Sequence, residues 1–266
     1  VRGITNNQHQ PISECSITNV RVYNCWIGVD IQCGWNNLFE NLTLNQGTIG
    51  FVGAGAAGAP DGTTTGFNNN TFINVISQWN SFIGIAIWAI STSKAVSNTF
   101  IGCDIESIKA NDAGTTFNAI SPYTAELTVP TGIQLVGSCF NTLIEGCYLE
   151  QILDGGVAAG HAVYVDARGK VWGNGRPYNN NNTIRSNFFN ADIDNSIYAN
   201  RCDKLTIEDN AIFPTESIYL TANAQRVTLL GHEPSELHAS SSQPAAIIGP
   251  DANDALLLRG KRLNLA

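Results

Sequence analysis

The 266-residue chain has no methionine, and only 14% of its residues are charged, with 14 Lys and Arg against 22 Asp and Glu. So little charge leaves scant material for the salt-bridged outer faces of surface helices. A net charge of -8 and a pI near 4.9 argue against general attraction to nucleic acid or an anionic membrane. No apolar run is long enough to insert into a bilayer. The seven cysteines are odd in number and include neither a CxxC pair nor a zinc spacing. They exclude a complete internal disulfide framework and imply no metal or cofactor. Asp192, Asp194 and Asp203 are scattered rather than set at calcium-loop spacing. The start at Val1 and the missing methionine point to a processed or excised part of a longer protein. A neutral or weakly charged partner suits this composition best.

What the chain has in abundance is glycine, 25 residues of it, and asparagine, both at regular places. Seven segments carry a corner: Ile17–Val20, Phe39–Leu42, Phe72–Val75, Phe100–Cys103, Ile144–Cys147, Arg185–Phe188 and Glu208–Ala211. Each puts Asn or Gly, the residues that most easily adopt left-handed backbone, between short β-prone runs. Successive corners lie 22, 33, 28, 44, 41 and 23 residues apart, which is a minimal coil of about two dozen residues with insertions. Between corners a small residue precedes an apolar alternation, as at Gly28–Ile31, Gly84–Ile87 and Gly132–Leu135. The pattern predicts three strands per coil and an all-β, right-handed, three-sided parallel β-helix with loop insertions. It spans residues 1–230, and residues 231–266 are expected to cap the open end or contact another subunit.

Stacking of coils predicts two inward columns. The first reads Val20, Leu42, Val75, Cys103, Cys147, Phe188 and Ala211; the second reads Val22, Leu44, Ser77, Ile105, Leu149, Asn190 and Phe213. An amide ladder of Asn37, Asn70, Asn98, Asn141 and Asn182 is expected to be structural. Insertions at 54–68, 108–131, 153–160 and 167–181 are where a rigid scaffold carries function.

These Asn-rich corners on a coil repeat, with a fading C-terminal end, resemble the pectate-lyase-like superfamily, and within it phage tailspike proteins. The resemblance is architectural, covers roughly residues 12–230 and brings no catalytic motif with it. It implies a homotrimer in a virion tail that binds bacterial capsule or O-antigen polysaccharide and cleaves it as a glycosidase or lyase.

The residues offer their own chemistry. The predicted outward column Asn45, Gln78, Glu106, Glu150, Ala191 makes Glu106 and Glu150 neighbours, with Asp104 and Tyr148 two positions earlier. Carboxylates about 5 Å apart suit a retaining glycosidase, and mutual repulsion keeps one protonated as an acid. Trp79, beside Gln78, is expected to be a sugar platform. Tyr164, Tyr198 and Tyr219 share one outward position and form a flat ladder suited to sugar faces or to sheet packing. His161 with Tyr164, assisted by Arg168 or Arg176, is the lyase alternative. A receptor-binding or structural fibre without activity is the other.

Overall fold

The computed structural model describes residues 2–6, 11–54, 66–89, 93–110, 129–154, 157–158, 160–167, 179–212, 217–221, 224, 227–231 and 257–259. Among these residues every regular element is a strand, and the strands form four sheets whose successive coils pair in parallel. The fold is a parallel β-helix. One coil runs through Gly34–Trp35 in sheet B, Leu38–Glu40 in sheet C, Thr43–Asn45 in sheet D and Ile49–Ala54 in sheet A. Three strands per coil were expected and four are found. The additional one is the two-residue strand of sheet B, too short to show an alternation in sequence.

Single left-handed residues turn the chain between sheets. From C to D these are Asn19, Asn41, Asn74, Gly102, Gly146, Ser186 and Asp209, with φ between 48 and 62°. The first five are the predicted corners. In the last two coils the bend falls one residue earlier than predicted, because Asn187 and Asn210 are buried and hydrogen-bonded along the coil axis. Asn187 Nδ2 donates to Asn210 Oδ1 at 2.9 Å, and the Cys147 amide donates to Asn187 Oδ1 at 2.9 Å. The inward column therefore ends Cys103, Cys147, Asn187, Asn210. Phe188 is 47% exposed and Ala211 is exposed. The second column ends Leu149, Phe189, Ile212 rather than at Asn190 and Phe213, which lies outside the described residues.

The amide ladder needs the same correction. Asn37 donates to Asn70, and Asn70 to Asn98, at 2.9 and 3.0 Å. The next rung is Thr142, buried between Asn98 and Asn182, while Asn141 is the exposed left-handed residue beside it. Asparagine fits both places, as a left-handed bend and as a stacked amide, so its presence does not say which.

Phenylalanines fill the core where these ladders hold it open. Phe39, Phe72 and Phe100 occupy one register position and stack at centroid distances of 5.0 and 4.5 Å, with Phe51 edge-on to the first two. All four are fully buried, each worth roughly 1.5–3 kcal/mol in transfer terms. Sheet A begins with a glycine column, and at Gly50 a Cβ would lie 2.5 Å from the Gly84 carbonyl oxygen. A side chain there would push adjacent coils apart. Leu257–Arg259, the described part of the C-terminal segment with Gly231, pairs in parallel with Thr228–Leu230 as a last strand of sheet C.

Candidate functional site

Sheet D carries its polar residues on the outer face because Leu44, Ser77, Ile105, Leu149 and Phe189 take the inward positions. Two outward columns result. The first runs Arg21, Thr43, Ile76, Asp104, Tyr148, Phe188; the second runs Tyr23, Asn45, Gln78, Glu106, Glu150. Past the end of that strand Asn190, not Ala191, continues the second column, its amide donating to the Leu149 carbonyl oxygen at 2.9 Å.

Glu106 and Glu150 are register partners on adjacent coils, so their backbones are about 4.8 Å apart. Asp104 pairs with Tyr148 in the neighbouring column. Asp104, Glu106, Glu150 and Tyr148 are all half-buried. The Tyr148 hydroxyl donates to Glu150 Oε2 and accepts from Asn190 Nδ2 at 2.8 Å, and its ring stacks on Phe188 at 5.6 Å and 9°. Gln78 Nε2 donates to Asp104 Oδ2 at 3.2 Å, while Asp104 Oδ1 is buried without a partner.

Desolvation raises the Asp104 carboxyl above its ordinary range; the Gln78 hydrogen bond opposes this and the charge of Glu150 adds to it. Desolvation also raises Glu106, reinforced by the charges of Asp104 and then Glu150. Three acids on one face therefore differ in environment. One is held by a tyrosine hydroxyl, one by a glutamine amide, and Glu106 is shifted toward its protonated form by desolvation first and by the other two acids second.

Trp79 stands beside this cluster, at the bend from sheet D to sheet A. It is 56% exposed with φ of 58°, and its amide donates to the Glu106 carbonyl oxygen at 3.3 Å. Asn24, Gln46, Ser107, Gln151 and Asp192 make the left-handed bend at this corner in other coils. The left-handed bend is demanded by the coil at this corner, but a tryptophan there is unfavourable both for its backbone and for its exposed apolar surface. Lys109 Nζ lies 5.4 Å from the ring centroid. Lys109, the Ser107–Gln151 hydrogen bond of 3.0 Å and the outward Phe188 were missed in sequence. Phe188 becomes visible as a partner of Tyr148 once the bend is moved to Ser186.

Tyr164, Tyr198 and Tyr219 are stacked as predicted, with centroids 5.5 and 5.1 Å apart and rings within 9° of parallel. They lie on sheet A, away from the acids on sheet D, so the two groups do not share a face. His161 joins this stack, 4.5 Å from Tyr198. It is 7% exposed, and burial lowers its pKa to about 4. Tyr164 donates to Asp166 Oδ2 at 3.0 Å. Arg168 and Arg176, and most of the four insertions, lie outside the described residues. No group of three or more metal-ligating side chains occurs among the described residues. No family model, curated protein or solved structure matches the chain.

Proposed function

We propose that this β-helix is a phage tailspike-like domain that binds a bacterial surface polysaccharide, capsule or O-antigen, on the outer face of sheet D and hydrolyses it there. The observation that carries the reading is the register pair Glu106–Glu150, half-buried on an outward face with Asp104 alongside and an exposed Trp79 at its edge. In the proposed reaction Glu106, whose carboxyl desolvation and its acidic neighbours shift toward the protonated form, donates its proton to the glycosidic oxygen. Glu150, positioned by the Tyr148 hydroxyl, attacks the anomeric carbon, and Glu106 then takes a proton from the water that releases the sugar. Carboxyl groups about 5–5.5 Å apart give retention at the anomeric carbon, and adjacent coils set the two backbones about 4.8 Å apart, which supports that outcome. Trp79, and Tyr148 stacked with Phe188, offer flat faces to sugar rings. The homotrimer and virion tail belong to this proposal through the tailspike resemblance.

Incubation with purified capsules and O-antigens tests it: shortened oligosaccharides are expected, and Glu106→Gln or Glu150→Gln should each slow cleavage by about 100-fold or more at unchanged melting temperature. Unchanged rates in both variants would remove the acid pair from the mechanism. Product with unsaturated uronate absorbance would mean a lyase, for which buried His161 is poorly placed. Binding without shortening would leave a receptor-binding fibre.

A further inference from the structure

The acids occupy only the middle of the sheet D face. Below them, toward the N-terminal coils, a groove of about 310 Å³ is lined by Asn19, Arg21, Asn41, Thr43, Asn74 and Ile76. Its floor belongs to the same outward column as Asp104: Arg21, Thr43, Ile76 and Asp104 are successive register partners. Arg21 is thus three strand steps from Asp104, roughly 14 Å. One wall is the corner amides. Asn41 Nδ2 donates to Asn19 Oδ1 at 3.3 Å and Asn74 Nδ2 to Asn41 Oδ1 at 3.4 Å, long bonds on exposed groups that leave donors and acceptors for a ligand. At the level of the acids this wall drops away, because the corner residues there are Gly102 and Gly146.

Arg21 supplies the sign. It is exposed and has no ion-pair partner among the described residues, in a chain whose net charge is -8. An acidic glycan laid on Asp104, Glu106 and Glu150 alone would be repelled. A guanidinium a short oligosaccharide's length away offsets that repulsion and fixes direction, since its planar fork matches a carboxylate bidentately. Resting on the glycan reading of the sheet D acids, we propose that the groove is a distal subsite in which Arg21 pairs with the carboxylate of an acidic sugar residue. The polysaccharide then lies along the coil axis from Arg21 to Glu150, and the substrate class is anionic. This departs from the neutral partner that bulk charge suggests, because the face, not the whole chain, meets the ligand.

The test uses an immobilised panel of purified capsules and O-antigens, each uronate-containing member beside its carboxyl-reduced form, probed with the parent protein and with Arg21→Gln. Expected is binding to uronate-containing members that weakens on carboxyl reduction and in raised salt, and that falls about tenfold with Arg21→Gln, the scale of one charged hydrogen-bonded contact. Arg21→Gln should leave binding to the reduced forms and the melting temperature unchanged. Uronate binding indifferent to Arg21→Gln overturns the subsite. Binding and Glu106-dependent cleavage of neutral members alone also overturns it while leaving the hydrolase reading intact. Failure to bind any member ends both.

Discussion

Thr142→Asn should stabilise the protein, and the reason is a missing rung. Asn37, Asn70 and Asn98 form a continuous buried ladder in which the Asn70 and Asn98 amide oxygens each accept both the backbone N–H and a side-chain N–H from the coil before: into Asn70 Oδ1 at 3.1 and 2.9 Å, into Asn98 Oδ1 at 3.2 and 3.0 Å. Thr142 interrupts it. Its Oγ1 is buried without a partner, while its own N–H donates to Asn182 Oδ1 at 2.8 Å. An asparagine of similar volume would present Oδ1 to Asn98 and Nδ2 to Asn182. Removing an unpaired buried hydroxyl recovers about 1–3 kcal/mol, and each new hydrogen bond adds about 0.5–1.5 kcal/mol. Ordering the longer side chain costs about 1 kcal/mol, for a net gain of about 3 kcal/mol at the middle of these ranges. Urea unfolding followed by tryptophan fluorescence measures it, with Asn70→Ala as the opposite perturbation, expected to lose about 3 kcal/mol by orphaning the Asn37 donors. A Thr142→Asn midpoint equal to or below the parent's would mean the ladder's bonds are not what holds these coils in register.

Asp104→Asn removes a charge that raises Glu106, so Glu106 should lose its proton at lower pH and the alkaline limb of the pH–rate profile should shift acidward; an unmoved limb would exclude Glu106 as the acid. His161, lowered by burial to about 4 from an unfolded value near 6.5, contributes stability that is complete above about pH 6.5. It is lost as pH falls toward 4, by about 3 kcal/mol in all. His161→Gln should therefore flatten that acid decline in urea midpoints between pH 7 and 4. Trp79→Gly should be near-neutral in melting temperature, since relief of left-handed strain of about 1 kcal/mol is offset by glycine's entropy and the lost Lys109 contact. Glycan binding should nevertheless fall, and an unchanged affinity would make Trp79 incidental.

The coil architecture, five of the seven bends and the Glu106–Glu150 pairing were all legible in the sequence, because each rests on a residue preference repeated at coil spacing. The remaining features fail that condition in identifiable ways. The strands of sheet B are two residues long and present no alternation. At Asn187 and Asn210 bending and stacking select the same residue type; the bends fall on the neighbours Ser186 and Asp209, both at positive φ. The Asn141–Thr142 rung fails likewise. Arg21 sits at the same offset from its corner as Thr43, Ile76 and Asp104, so its rung follows from the repeat; a lone arginine in a column otherwise mixed in chemistry carries no signal for a ligand. Tyr164, Tyr198 and Tyr219 stacked as expected, but periodicity gives a residue's place within a coil and not which face a ligand meets.

Glu106 and Glu150 are 44 residues apart in sequence and meet solely because two successive coils are in register. Nothing local brings them together, so the acid pair exists only while that one inter-coil contact is closed. In a stacked array such contacts open and close with their own free energies. Catalysis would then serve as a gauge of a single seam. Under mild denaturant, activity should disappear when the coils bearing Asp104 and Tyr148 part, even while the remainder of the stack is still wound.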